Sequence, residues 1–190
     1  MIKPEGIPIL ETGKILVSEP FMLDPNFKRT VVLVADYTRE EGTVGFILNR
    51  KMDVRLEDLT SDFGDLEAPV HYGGPVDNNS MYFIHNVGEL LDDSIKISRG
   101  VYWSGNYDKL RFLIECKLIL AQNIRFYVGY SGWSQGQLEE EMKTKSWLVS
   151  DMEPNFLFKN KPESLWRDIL EYKGYHFSAL SSLDGDELMN

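Results

Sequence analysis

Hydrophobic and polar positions divide the chain into a strand-rich first part and a helix-rich end. Residues 30–36 form an apolar, β-branched run, Thr-Val-Val-Leu-Val-Ala-Asp. A run with no polar side predicts a strand buried on both faces, central in a sheet. Residues 15–18 predict a shorter strand before it. Residues 43–49 predict a return strand after the turn-like Arg39-Glu40-Glu41-Gly42. One or two helical turns are expected over 54–59. Further strands are expected over 69–72, 81–86 and 124–129. Residues 94–97 alternate with period two, 101–104 form a short extended piece, and the polar stretch 88–93 reads as loop.

Three longer helices are predicted late. Asn106 is a good N-cap for a helix over 107–121, and Asp108 complements its positive end. Leu110, Leu113, Ile114, Leu118 and Ala121 follow helical spacing there, and Phe112, Cys116 and Ile119 widen the stripe. A second helix is expected over 135–145, followed by an extended piece at 147–149. The third covers 162–173, with Pro162 in its first turn and Gly174 as its stop. The polar tail from about 178 is expected to fray. Strands that precede helices, without regular alternation, predict an α+β fold with a mixed sheet, one domain across residues 1–190.

Composition narrows the function classes. Hydrophobic content of 43% and charged content of 26% fit an ordinary globular protein. No apolar run approaches the ~20 residues needed to span a bilayer. The first residues lack the apolar core of a signal peptide, so residence in the cytoplasm, away from membranes, is the expectation. The single Cys116 leaves no partner for an intramolecular disulfide and is expected as a small buried residue. Net charge is −10, acidic in both halves. Phosphate binding draws on clustered Lys and Arg. The chain lacks that footprint, so direct DNA binding is disfavoured; Lys28-Arg29 and Arg50-Lys51 with Arg55 are the best candidates for a local basic patch.

The densest run of special residues is Gly129-Tyr130-Ser131-Gly132-Trp133-Ser134-Gln135-Gly136-Gln137. Ser134 and Gln137 have the S-x-x-Q spacing of a capping box, so the run predicts a strand-to-helix corner. Glu139, Glu140 and Glu141 follow at once and would repel a phosphate. A ligand or partner site beside Gly132, Trp133 and Gln137 remains the alternative to a purely structural corner. Gly73-Gly74-Pro75 predicts a sharp turn after a strand, architectural or at the rim of a cleft. Asp24 and Arg29 flank the start of the strong strand, and Asn49-Arg50 end its partner. These ten residues, Asp24, Arg29, Asn49, Arg50, Gly73, Gly74, Pro75, Gly132, Trp133 and Gln137, are the candidate cleft or ligand site. His71, His85 and His176 lie far apart without metal-binding spacing, and structural roles are expected for the first two. No catalytic set, cofactor site or metal site is read from the sequence.

Four separated motifs agree with one family. Gly13-Lys-Ile-Leu-Val17 with Pro20-Phe-Met-Leu-Asp24 and Phe27-Lys-Arg-Thr-Val-Val32 comes first. Gly45-Phe-Ile-Leu-Asn-Arg50, Gly73-Gly-Pro-Val76 and the Gly129–Glu139 run follow in order, with Glu141, Trp147, Leu157-Phe158 and Trp166 beyond. Together they resemble the YqgE/AlgH family. The resemblance implies a bacterial α+β domain with a mixed, partly barrel-like sheet surrounded by helices. The family is largely uncharacterised; its label of transcriptional regulator comes from a genetic link to alginate control and implies no DNA-binding motif. The expectation is therefore a non-enzymatic regulatory or interaction domain with an unknown protein or small-molecule partner. The alternative is a hydrolase or nucleotide-binding protein with a cleft of its own. Two departures from the family pattern stand out. Asp36-Tyr37 replaces an acidic residue followed by His, and Ser134-Gln135 replaces a smaller pair.

Overall fold

A computed structural model describes residues 9–152, 156–159 and 163–173. Its strands are β1 (Lys14–Ser18), β2 (Val31–Thr38), β3 (Gly42–Ile47), β4 (Val70–Tyr72), β5 (Val76–His85), β6 (Ile95–Ser98), β7 (Val101–Trp103), β8 (Ile124–Trp133) and β9 (Trp147–Asp151). Its helices are α1 (Leu56–Leu59), α2 (Tyr107–Glu115), α3 (Gln137–Lys143), α4 (Phe156–Lys159) and α5 (Leu165–Tyr172). The expected first-turn Pro162, the stop at Gly174 and the fraying tail lie outside the described residues.

The strands form one sheet in the order β6-β7-β5-β8-β3-β2-β1-β9, with β4 pairing β8 off that path. All pairs are antiparallel except β4 with β8, so the sheet is mixed and the fold α+β as expected. Ile97 of β6 and Val101 of β7 share a core with Ile15 of β1 and Leu33 of β2, near the other end of the strand order. The sheet therefore curls toward a barrel, although among the described residues no ladder closes it.

Strand β2 behaves as its apolar run predicts. Val31, Leu33 and Ala35 point into the inner core, which α5 covers with Leu165, Trp166 and Ile169. Val32 and Val34 point to the opposite face, against Trp133, Leu138 and Trp147. A third cluster, under α1 and α2, joins Leu56, Leu110 and Leu113 to Ile124 and Phe126 of β8. Period-two alternation on β8 sends Tyr127 to the inner core and its neighbour Phe126 to this outer one.

Helix α2 starts where expected, with Asn106 accepting from the Lys109 amide at 2.9 Å. It stops at Glu115, well short of 121. Lys117 adopts φ 58, and the amides of Lys117 and Leu118 turn back to the carbonyls of Ile114 and Leu113. That pair of bonds is a Schellman stop with a lysine where glycine is usual. Three expectations are corrected: Cys116 and Leu118, at and beyond the stop, and Phe112, within the helix, are exposed, whereas Ile119 is buried.

Strand β8 is the centre of the topology. Its residues 126–128 pair with β4 on one edge and with β5 on the other. The chain between β4 and β5 must therefore pass over β8 within Gly73-Gly74-Pro75. Backbone lies on backbone at this crossing. A Cβ on Gly73 would overlap the Gly129 carbonyl oxygen, and one on Gly74 would overlap the Ser131 amide and the Tyr130 carbonyl. Only glycine allows so close an approach. The Gly73 amide donates to the Val128 carbonyl at 2.9 Å, and the Gly73 carbonyl accepts from the Ile47 amide at 3.0 Å and from Ser131 Oγ at 3.0 Å. One residue thus links β8 to the end of β3.

Gly136 provides the contrast: its φ is positive, 75, but open space surrounds it. Gly136→Ala should cost only the ~1–2 kcal/mol of a left-handed conformation. Gly73→Ala should cost about 3 kcal/mol or more, because backbone must move. Denaturant unfolding of both variants checks the ordering, and equal losses would contradict the crossing.

Candidate functional site

The glycine block is mostly strand. β8, expected to end at 129, continues through Gly132 and Trp133 because Gly45, Val44 and Thr43 pair with Ser131, Gly132 and Trp133. The corner itself is Ser134-Gln135-Gly136. Half of the expected capping box forms: Gln137 Oε1 accepts from the Ser134 amide at 3.1 Å and from Ser134 Oγ at 3.2 Å. The Gln137 amide binds the Ser134 carbonyl instead of the hydroxyl. Gly136, left-handed, takes the N-cap position of α3.

Glu141 fixes this corner. Its Oε2 accepts from the indole N–H of Trp133 at 2.9 Å and of Trp147 at 2.7 Å. Its Oε1 accepts from Gln137 Nε2 at 3.0 Å. Charged acceptors make strong hydrogen bonds, and this one carboxylate ties together β8, α3 and β9. Trp133 also stacks on Phe27 at 5.7 Å, and Trp147 meets Phe27 edge-on at 5.5 Å. Trp133 therefore faces a core, whereas Gln137 stays exposed above it.

A cleft of about 390 Å³ opens beside the corner. It is lined by Gly132, Trp133 and Ser134 at the end of β8 and by Asp36, Thr38, Glu41 and Thr43 of the adjoining β2–β3 hairpin. Tyr130 and Val76 supply apolar surface. The carboxylates of Asp36 and Glu41 are on exposed residues. Both departures from the family pattern sit here. Ser134 lines the cleft, and the Tyr37 hydroxyl donates to Glu139 at 2.8 Å, joining the end of β2 to α3. That bond leads the rise of the Tyr37 pKa above its ordinary value.

The other candidates gather elsewhere. Asn49 accepts from the Val31 amide at 2.8 Å and donates to the Arg29 carbonyl at 2.9 Å. Arg50 donates to the carbonyls of Pro25 at 2.9 Å and Lys28 at 3.2 Å, and burial lowers its pKa. Asp24 Oδ1 accepts from the Asn26 amide at 2.8 Å, closing a turn. Arg29, at φ 55, sets its guanidinium 5.9 Å from the ring centre of Trp166. These four hold the 24–29 loop in place at the end of β3 remote from Gly42. That loop carries Phe27 to the tryptophans. Gly73, Gly74 and Pro75 form the crossing. Of the ten candidates, Gly132 and Trp133 line the cleft, and Gln137 joins them through Glu141.

The histidines differ from one another. His85 Nε2 lies 2.9 Å from the Ser104 carbonyl, and its Nδ1 accepts from the Val87 amide at 3.3 Å, as a structural role requires. His71 is 1% exposed, yet neither ring nitrogen makes a hydrogen bond of good geometry among the described residues, and the nearby Pro69 backbone only weakly favours its protonation. Burial first, then the charges of Arg125 and Lys51, push its pKa down to about 4. The expectation of a satisfied His71 is therefore corrected. No His, Cys, Asp or Glu group suited to a metal occurs among the described residues. No helix there is long and apolar enough to cross a membrane.

A family model described as AlgH-like matches residues 15–178. A UPF0301 protein of Chlorobaculum tepidum is 38% identical over 174 residues, 92% of each chain. Another, of Cytophaga hutchinsonii, is 34% identical over 183 residues, 96% of this chain and all of that one. The solution structure of the AlgH protein from Pseudomonas aeruginosa superposes with a TM-score of 0.70 at 24% identity, covering 97% of this chain and 98% of that one. A crystal structure from Corynebacterium diphtheriae gives 0.76 at 20% identity, covering 93% and 94%. At these identities the two structures speak for the fold.

Two outcomes follow from the geometry. Glu141→Leu strands two indole N–H groups, on Trp133 and Trp147, that are 4% and 2% exposed. It should cost about 2–5 kcal/mol, and Glu141→Gln, which keeps an acceptor, clearly less. Thermal and urea unfolding compare them; equal losses would show that the indole bonds contribute nothing. The second outcome concerns pH. The unfolded chain binds a proton at His71 below about 6.5, the folded chain only near 4. Stability present above pH 6.5 is therefore lost as pH falls toward 4, by about 3 kcal/mol from this group. His71→Phe should flatten that part of the stability–pH curve, and an unchanged slope would refute the assignment.

Proposed function

The chain belongs to the AlgH-like family, and we propose that it is a non-enzymatic interaction domain of a regulatory kind, whose cleft receives a basic segment of a protein partner. The cleft between the β2–β3 hairpin and the end of β8 carries the reading. Its exposed carboxylates, Asp36 and Glu41, suit a Lys or Arg head group. The partly exposed aromatic side chain of Tyr130 suits the stem or the face of a guanidinium.

Charge works in the same direction. A net charge of −10 attracts a basic partner at long range and speeds encounter. The same carboxylates disfavour a nucleotide or a DNA backbone in this cleft, as do Glu139 and Glu140 in the first turn of α3. The wall is also rigid, because Glu141 and Phe27 hold Trp133 from behind. Rigid walls limit the ordering cost of binding. Residence in the cytoplasm belongs to the same reading and is supported by the lone cysteine.

The test is a titration of the full chain with an Arg- and Lys-containing peptide, followed through the backbone amides of Thr43, Gly132 and Ser134. Saturable shifts confined to the cleft are expected, with affinity about ten-fold lower in the Asp36→Asn, Glu41→Gln double variant. Shifts absent at low salt, or unchanged by the double variant, would contradict the reading. So would turnover of a nucleotide or ester that a cleft substitution abolishes.

A further inference from the structure

A second cluster lies on the inner face of the sheet, away from the acidic cleft. The parallel register of β4 and β8 sets His71 opposite Tyr127, and their rings meet at 5.5 Å. A bridge sets Lys51 opposite His71 in antiparallel fashion. Arg125, two residues before Tyr127 on β8, points to the same face. Four side chains able to donate hydrogen bonds or carry positive charge thus converge from β4, β8 and the segment that follows β3.

The floor of this cluster is buried and unsatisfied. His71 is 1% exposed and Tyr127 fully buried. The His71 Nδ1 and Nε2 and the Tyr127 hydroxyl have no hydrogen-bond partner of good geometry among the described residues. Buried polar atoms in folded proteins are almost always paired, so three in two touching rings call for an explanation. The Arg125 guanidinium lies near enough to act on both groups: it opposes protonation of His71 and counters the burial that pushes Tyr127 up to about 12. Arg125 is half-buried and Lys51 exposed, so the cationic rim reaches solvent while the floor does not. Neither makes an ion pair among the described residues.

We propose that His71, Tyr127 and Arg125, with Lys51 at the rim, bind a small oxyanion, the carboxylate or phosphate group of a small molecule. Such a group accepts from the Tyr127 hydroxyl, from one His71 N–H and from the Arg125 fork. It supplies the acceptor that the buried donors lack and the negative charge that the two cations lack. The neutral imidazole is the right form to donate one N–H at neutral pH. An anion beside it would also favour imidazolium, so binding should raise the His71 pKa. This site is independent of the acidic cleft, which prefers the opposite charge.

The test uses the full chain with ¹⁵N-labelled histidine, titrated separately with inorganic phosphate and with citrate at ionic strength held constant by sodium chloride. A saturable shift of the His71 ring nitrogens is expected, with an upward move of its titration midpoint. The arm that responds identifies the group as phosphate or carboxylate. Affinity should fall about ten-fold in Arg125→Gln and in Tyr127→Phe. The second variant removes an oxygen that makes no hydrogen bond of good geometry among the described residues and leaves the core filled, so it should fold. No saturable response to either anion would overturn the proposal, and so would a response that both variants leave unchanged. A Tyr127→Phe chain that is more stable and binds as before would show that the hydroxyl serves no ligand.

Discussion

At Gly73 and Gly74 the chain crosses over the backbone of β8, and the rest of the fold follows from that crossing. Because β4 and β5 occupy opposite edges of the same β8 residues, the connection between them has no room for a side chain. The Gly73 carbonyl then accepts from both Ile47 and Ser131, so β3 takes over the β8 edge where β4 leaves it. One half of the sheet, β4 to β7, and the other half, β1 to β3 with β9, are joined along β8 and again where Lys51, beyond β3, bridges His71 of β4. The inner core spans both halves, with Ile97 and Val101 packed alongside Ile15 and Leu33.

The handover also decides where β8 ends. Pairing with β3 carries the strand on to Trp133, whose indole reaches Glu141 on α3. Through Glu141 the corner is tied to Trp147, and through Phe27 to the loop that Arg50 holds. The acidic cleft lies between this braced corner and the β2–β3 hairpin. The oxyanion cluster lies further back along β8, where β4 still pairs with it. Two surfaces of opposite electrostatic character thus depend on consecutive stretches of one strand.

Much of this was legible in the sequence, for identifiable reasons. The run at 31–35 has no polar face, and β2 is buried on both sides. Asn106 caps α2 as its type suggests. The ordered motifs gave the family and the partly barrel-like sheet. What was not legible rests on long-range contact. Gly73-Gly74-Pro75 announced a turn, but nothing local says that the turn crosses another strand. Apolar spacing continues to Ala121, yet Lys117 ends α2 with a left-handed turn that lysine does not advertise. Asp36 and Glu41 are ordinary surface carboxylates until the hairpin is set against β8. Asn49 and Arg50 were candidates for ligand contact, and the structure occupies them with the backbone of the 24–31 segment. His71 looked like any histidine in a strand, and its lack of partners emerges only once Tyr127 is placed opposite it.

Native-state hydrogen exchange tests the central claim, that the crossing makes the two halves of the sheet one cooperative unit. The amides of Ile47 and Gly73, with those of β2 and of residues 81–85, should exchange only through global unfolding and share one opening free energy. Two distinct opening free energies, with β1–β3 and β9 exchanging separately from β5–β7, would show that the halves unfold independently and that the crossing does not hold them together.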